Sequence, residues 1–419
     1  MKVLIFQSGE PLQIDSNPNP MRAISLSNYL VSFNFEVHIW SAKFNHQTKK
    51  FRLDDFDEVK YNNIFFKLIK SPGYKKNVSL SRIFDHILLA RNLKKELKNI
   101  NFKPDFVFIG YPPIETAYVL SRWCINNKIP YVLDVKDNWP DFFLEKLPNN
   151  LRYLAKLILL PYYKISKRVI FDSKIVTSIS NTFLLWCQNF SGRGNLENDK
   201  VYYLLKQRKK EINTSNISNQ IKLLKNKYSK NCFPLLFVGN HYPSIDLETV
   251  ILGTKLLNKK FNNNFKLFIC GNGETTKNLQ DISKNDENII FLGRVSQDEI
   301  LYLSKLSKVF LCPFLNLKAF QMSLPNKVLD AFILNLPILT AFTKGETFDL
   351  LTRNNINFLY QEKSPISFFS IIKKVYLMSE IEYKTLKLKI EKIYLDNFDY
   401  VKNNKNLIKH ISEILKNEN

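Results

Sequence analysis

Apolar runs suited to buried strands alternate with segments of helical period, and the alternation occurs twice, on either side of a polar stretch. Residues 2–7 form the first run. A loop rich in Asn and Pro, SGEPLQIDSNPNP, follows, and from Met21 apolar residues recur at Ala23, Ile24, Leu26 and Leu30. FEVHIW (35–40) reads as a second strand, 83–97 as a helix, 102–110 as a strand ending in a Pro-Pro loop, IETAYVLSRWCINN as a helix and 129–135 as a strand. Four strands joined by helical crossovers predict a parallel sheet covered on both faces. The rhythm restarts with strands at 232–240, 265–273, 288–295, 308–314 and 336–342, separated by helical patterns at 246–260, 299–307 and 324–335. From about 364 the chain reads mostly as amphipathic helix.

The polar, basic, Asn-rich stretch between the blocks reads as a linker or boundary excursion. The expected organisation is one α/β domain over 1–190, a linker over 191–230, a second α/β domain over 231–385 and a terminal helical segment over 386–419. A chain of 419 residues exceeds what one core comfortably serves, and 45% apolar content supplies material for two. The excess of 61 Lys and Arg over 38 Asp and Glu gives +23, which draws anionic partners without naming one. Cys124, Cys187, Cys232, Cys270 and Cys312 are dispersed and apolar-flanked, the pattern of reduced core thiols in a cytosolic protein rather than a zinc site. The opening residues MKVLIFQSGEPLQ do not read as a signal peptide. The uncharged run 175–192 carries too many Thr, Ser, Asn and Gln residues to span a bilayer.

In a parallel α/β domain, ligands gather at the carboxyl ends of the strands. Three loops of the second block lie there. In FVGNHYPSIDLETV, Gly239 and Asn240 end a strand, and Ser244 or Asp246 is placed to cap the next helix. In ICGNGE, Gly271 and Gly273 give part of a dinucleotide fingerprint whose third glycine is replaced by Thr276. In FQMSLPNKVLDAF, Pro325 suits a helix start, and Lys327 and Asp330, three apart, share a face at its opening turns. A lysine meets phosphate and a carboxylate accepts from sugar hydroxyls; the same pair also fits a plain surface ion pair. Arg294, after Gly293, is a further candidate for a diphosphate. In the first block, YVLDVKDNWPDFF sets Asp134, Asp137, Trp139 and Pro140 at a strand end, to orient a hydroxyl, stack on a sugar or simply support the rim.

These segments, YVLDVKDNWPD, FVGNHYPSIDLETVILGTKLL, NIIFLGRVSQDEI and SLPNKVLDAFILNLPIL, resemble in order and spacing the GT-B glycosyltransferases, closest to the family 4 (group 1) type of bacterial surface-polysaccharide synthesis and its aminosugar-transferring branch. The resemblance covers nearly the whole chain. It implies an α/β fold of two Rossmann-like domains facing across a cleft, with a C-terminal helix returning to the first. It also implies transfer of a sugar from an NDP-sugar donor, a UDP-hexose or UDP-N-acetylaminosugar, to a glycan or a polyprenyl-diphosphate-linked acceptor, with retention of configuration, in O-antigen or capsule assembly. Residue by residue, it puts Arg294 and Lys327 on the diphosphate and Asp330 on the ribose, at the end of the family's E-x7-E pattern. The first acidic position of that pattern is Met322 here. Donor-binding candidates are therefore Gly239, Asn240, Gly271, Gly273, Arg294, Asn326, Lys327 and Asp330; the catalytic ones are Arg294, Lys327 and Asp137. DSNPNPMR replaces the family's first Gly-rich loop, leaving Asn19 and Arg22 as acceptor-side candidates. No cofactor or metal is expected, since DFD (55–57) reads as a solvated loop.

Residues 151–171 combine Leu151, Leu154, Leu157 and Ile158 with Arg152, Lys156, Lys164, Lys167 and Arg168, and Pro161 interrupts the helix. This pattern fits either a helix packed on the first domain or one lying on an anionic membrane surface, as a cytoplasmic peripheral protein at the inner face of the bacterial cell membrane would have. Two other functions fit less of the sequence. A GT-B-like sugar-nucleotide epimerase needs more carboxylates near the sugar than Met322 leaves. A nucleic-acid binder would show a recognition motif, and none accompanies the charge.

Overall fold

A computed structural model describes residues 1–16, 21–52, 57–77, 79–145, 147–194, 196–209, 211–228 and 232–416. Asn19, and Asp55 of the DFD triplet, lie outside the described residues. The chain divides into two compact units, Met1–Lys206 with Asp399–Asn419, and Gln207–Phe398.

The first unit is built on an eight-stranded sheet ordered β10-β9-β8-β7-β1-β2-β6-β5. Its strands are β1 (Lys2–Phe6), β2 (Glu36–Ala42), β5 (Glu58–Tyr61), β6 (Ile64–Ile69), β7 (Phe106–Tyr111), β8 (Tyr131–Val135), β9 (Ile175–Ser178) and β10 (Lys200–Val201). A separate ribbon pairs β3 (Phe44–Asn45) with β4 (Lys50–Phe51). All neighbours in the large sheet are parallel except β5–β6. Every residue of β7 and β8 is buried, as expected where helices cover both faces. One core packs Leu89, Leu93, Leu120 and Val169 of the helices on one face. The other packs Leu26 and Leu30 with Leu407 and Ile411 of the terminal helix.

That terminal helix, Tyr400–Lys416, is tied to the first unit by Asn404, whose Nδ2 donates to Ser25 Oγ at 2.8 Å, and by His410, whose Nδ1 meets the Tyr202 hydroxyl at 3.0 Å. The return thus begins at Asp399, not 386. The helix Glu380–Asn397 belongs to the second unit, where Glu391 receives both terminal nitrogens of Arg208. The expected linker of 191–230 is also corrected. Lys200–Val201 is an edge strand of the first sheet, the units change at Lys206, and Asn219–Tyr228 is a helix of the second unit. Its Asn-rich composition reflects surface loops between short elements, not a free tether.

Four strands of the first sheet, β5, β6, β9 and β10, escaped the pattern. β6 follows a hairpin whose Asn62 and Asn63 both take positive φ, a two-residue turn that asparagine tolerates. β9 occupies the start of the uncharged run 175–192, which then becomes a helix from Asn181 to Ser191, capped by Ser180 and stopped by Gly192 at φ +76°.

The second unit carries a five-stranded parallel sheet of β11 (Phe233–Val238), β12 (Phe265–Cys270), β13 (Ile289–Gly293), β14 (Val309–Cys312) and β15 (Ile338–Thr340), ordered β13-β12-β11-β14-β15. Its strand order reverses at β11, between β12 and β14. In such a sheet the crevice beyond the carboxyl ends at that reversal is where ligands settle. The first sheet has the same layout, with its reversal at β1 between β2 and β7.

Candidate functional site

The reversal point of the second unit brings Gly239, Gly271 and Lys327 together. Gly239 ends β11 with φ +155°, and a Cβ there would stand 2.0 Å from Lys327 Cε and 2.2 Å from Nζ. The lysine therefore crosses the rim directly over a bare Cα. Gly271 has φ +113°, and its missing Cβ lets the backbone oxygen of Gly239 approach to 1.9 Å from where that carbon would be. Lys327 Nζ lies 5.7 Å from the centre of the Phe237 ring and 5.6 Å from that of Phe314. Both aromatic faces favour a cation there.

Lys327 belongs to the helix Asn326–Ile333, which Pro325 begins and no side chain caps. Its opening amide groups and partial positive charge therefore face the same rim. Asp330 sits one turn on. Both side chains act on Cys312 at the end of β14: burial pushes that thiol up, Lys327 opposes and Asp330 adds to the rise. Lys327 and Asp330 thus both act on this strand end. Asn326 and Asn240 are exposed on the same rim. Arg294 is exposed just beyond β13, whose last carbonyl, that of Gly293, accepts from Gly271 N–H at 2.5 Å. That bond links the Arg294 loop to the glycine loop through the backbone.

His241, which sequence reasoning overlooked, is fully buried under this rim. Its Nδ1 lies 2.9 Å from Thr276 Oγ1, which also accepts from Gly273 N–H at 2.8 Å. Thr276 therefore ties the Gly273 turn to His241, a role that a third glycine could not fill. Burial lowers the His241 pKa, the Cys270 carbonyl opposes this, and the charge of Lys327 lowers it further. The imidazole stays neutral beside the cation. The only sequence signal was its position, two residues after Gly239.

Other expectations are corrected or narrowed. Asp246 caps the helix Leu247–Lys260 by accepting from Thr249 N at 3.4 Å, and its second oxygen accepts from Lys363 N at 2.7 Å. That helix start is self-satisfied. Met322 is buried, so an apolar contact occupies the position where a carboxylate was sought. In the first unit, Arg22 and Asp134 are structural. Asp134 is fully buried, 3.5 Å from Arg22 Nε and 3.2 Å from Lys136 Nζ, and accepts from Thr177 Oγ1 at 2.8 Å. Burial alone would raise its carboxyl, but Arg22 and Lys136 outweigh that and hold it below the ordinary value. Arg22 also donates to the Tyr202 carbonyl, so it is not available to an acceptor.

Asp137 remains at the rim beyond β8, accepting from Asn138 N at 3.0 Å and Trp139 Nε1 at 3.2 Å, with its pKa raised by burial. Trp139 is buried against His86 and Phe143, which closes a corner instead of offering a sugar platform. Asp57 pairs with Lys43 and Lys70. Among the described residues, no group of three His, Cys, Asp or Glu side chains is placed to hold a metal ion. Cys124, Cys187, Cys270 and Cys312 are buried free thiols and Cys232 is half-buried.

Residues 233–377 match the family described as glycosyl transferases group 1, a segment that contains every donor-side candidate. None of the curated proteins matches the chain. Among solved structures, it is similar to Anabaena Alr3699/HepE in complex with UDP and glucose, at 14% identity and TM-score 0.60 over 99% of this chain and 100% of that one. It is also similar to a glycosyltransferase of Rickettsia africae, at 13% identity and TM-score 0.64 over 99% of both chains. A third is WaaG, a glycosyltransferase involved in lipopolysaccharide biosynthesis, at 14% identity and TM-score 0.58 over 97% of this chain and 98% of that one. The chain therefore has the two Rossmann-like units of the GT-B glycosyltransferase fold, and its second unit carries the sequence pattern of the group 1 family.

Proposed function

We propose that the protein is a glycosyltransferase that takes a UDP-linked hexose or N-acetylaminosugar as donor and passes the sugar to a lipid-linked glycan or polyprenyl-diphosphate acceptor in bacterial surface-polysaccharide synthesis. The observation that carries the reading is Lys327 lying across the bare Cα of Gly239, beside an uncapped helix start, inside the segment that matches the family. The similar Anabaena protein holds UDP, and WaaG works in lipopolysaccharide synthesis, which supports the same donor and setting for this chain.

As the bond from the anomeric carbon to the diphosphate breaks, negative charge grows on the departing UDP. Lys327, Arg294 and the helix start neutralise it, while Asp330 binds the ribose hydroxyls. The acceptor oxygen forms the new bond to the anomeric carbon, with retention of configuration, while its proton passes to an oxygen of the departing diphosphate; Asp137, at the rim of the first unit, is the residue proposed to orient an acceptor hydroxyl. These charges serve without a metal, so the proposed transfer is metal-independent. Lys327→Ala and Arg294→Ala should each lower kcat/KM by roughly 10–1000-fold, about 1.4–4 kcal/mol of transition-state binding. Near wild-type transfer by both folded variants would refute this site.

The proposal extends to the cytoplasmic membrane face. In the helix Asn149–Ile158 no residue is buried, and Leu151, Tyr153, Leu154 and Ile158 are exposed beside Arg152 and Lys156. Pro161 lies in the first turn of the next helix, Leu160–Phe171, which exposes Lys164, Lys167 and Arg168. Among the described residues no helix is long and apolar enough to cross a bilayer. An apolar ridge bordered by basic side chains fits peripheral, salt-sensitive contact with anionic lipid.

A further inference from the structure

The chain enters the second unit at Gln207 and leaves it at Phe398, and both ends of that passage are fastened to the helix Asn326–Ile333, which carries Lys327 and Asp330. Arg208 is the second residue of the unit. Its Nη2 donates to the Phe332 carbonyl at 3.1 Å, and its two terminal nitrogens donate to Glu391 Oε1 at 2.6 Å and Oε2 at 2.9 Å. Its guanidinium carbon stands 3.7 Å from the centre of the Tyr394 ring. At the far end of the passage, Phe398 is fully buried with its ring centre 5.1 Å from that of Phe332, and its N–H donates to the Tyr394 carbonyl at 2.7 Å.

These contacts reach the helix at the end opposite Lys327. Phe332 lies in the last turn, where the partial negative charge of a helix gathers; a guanidinium suits that end as a phosphate suits the other. Eight residues make a rod about 12 Å long, short enough for a shift at one end to be felt at the other. A guanidinium that grips a carboxylate with both arms, stacks on a ring and still reaches a carbonyl is fixed in one geometry.

The same entering segment braces the second diphosphate candidate. Lys209 Nζ lies 2.7 Å from Asp298 Oδ1, which also accepts from Asn213 N at 2.8 Å, and Asn216 Nδ2 donates to Asp298 Oδ2 at 2.9 Å. Ser218 N donates to Glu299 Oε1 at 3.0 Å. Asp298 and Glu299 lie in the first turn of the helix Gln297–Leu306, which begins just after Arg294. The first residues of the second unit therefore back both elements that bring cations to the donor rim.

We propose that Arg208 is a positioning residue of the donor site, and that nucleotide held at Lys327 and Asp330 acts through Arg208 and Phe398 on the two points where the chain passes between its units. The coupling is reciprocal: whatever steadies either crossing tightens nucleotide binding. The inference rests on the donor assignment made above.

Hydrogen–deuterium exchange of the full chain, with and without saturating UDP, tests it. In the wild type, UDP should slow exchange over 326–333 and also over 204–209 and 396–400. In Arg208→Gln, with UDP raised to saturation again, the slowing over 326–333 should persist and that over 204–209 should disappear, while UDP affinity drops about fivefold or more. A purely structural role would quicken exchange with and without UDP alike and leave the UDP-dependent ratio unchanged. That result in the folded variant overturns the proposal, as does slowing confined to 326–333 in the wild type. Should Arg208→Gln not fold, Glu391→Gln, which loosens the guanidinium without altering the entering segment, decides by the same ratio. Absence of slowing over 326–333 at millimolar UDP overturns the donor assignment and this inference with it. Coupled slowing without sugar transfer from any donor leaves the inference standing and removes the transferase reading.

Discussion

Replacing Gly239 by Ala should act almost wholly through Lys327. The added Cβ would sit 2.0 Å from Cε and 2.2 Å from Nζ, where ordinary contact begins at 3.4 Å, so the end of the lysine must swing aside by more than an ångström. The side chain is flexible, and relieving the clash is cheap in packing. What is lost is the position of the charge between Phe237 and Phe314. One charge-assisted hydrogen bond to a diphosphate contributes about 1.5–3 kcal/mol, so kcat/KM should fall by about 10–150-fold. A methyl group at φ +155° adds backbone strain of about 1–3 kcal/mol, which lowers the melting temperature by roughly 2–12 °C and leaves the protein folded at assay temperature. The assay is a double-mutant cycle on UDP release from the preferred sugar nucleotide, using Gly239→Ala, Lys327→Ala and both together. Because both changes remove the same contact, the double variant should be little worse than Lys327→Ala alone. Full additivity, or wild-type efficiency in a folded Gly239→Ala protein, would refute the reasoning.

Three further outcomes are expected. Asp134→Asn leaves the buried Arg22 without a counter-charge and should cost about 3–5 kcal/mol, a fall of roughly 6–20 °C in the melting temperature. His86 is held neutral in the fold by burial, with a pKa pushed down to about 3; the unfolded chain takes up a proton below the ordinary value of about 6.5, so stability falls as pH drops through the window between them. By pH 5 the loss is about 2 kcal/mol, and His86→Phe should melt with a correspondingly shallower acid dependence. Cosedimentation with vesicles should rise with anionic lipid and fall with salt, and replacing Lys164, Lys167 and Arg168 by Gln should weaken it by about 3 kcal/mol while UDP affinity stays unchanged. Equal failure to bind neutral and anionic vesicles at low salt would remove the membrane contact from the proposal.

Much of this was legible in the sequence because parallel sheets bury both faces and so write themselves as uninterrupted apolar runs, as in FVFIGY of β7 and FPLLFV of β11. The donor-side loops were legible for a related reason: Gly239 and Gly271 follow β11 and β12 at once, Gly293 closes β13, and Pro325 marks a helix start in the segment after β14. Short or edge elements were harder. β10 has two residues, and β5 is an edge strand of exposed and half-buried residues, so neither offers a periodic signal. The unit boundary was blurred because Asn-rich surface loops look alike whether or not they join domains. Roles that depend on burial or on distant partners, such as the ion pair of Arg22 with Asp134 and the bonds of Arg208 to Phe332 and Glu391, left no sign in the sequence.

The most direct test is a panel of sugar nucleotides, UDP-, GDP- and TDP-linked, incubated with the protein and assayed for nucleotide release with and without a polyprenyl-diphosphate acceptor. The geometry at Lys327, Gly239 and Asp330 predicts UDP release from at least one UDP-sugar, dependent on the acceptor and lost in Lys327→Ala. No release from any donor with the acceptor present would contradict the proposed function, as would conversion of a sugar nucleotide to its epimer without any acceptor.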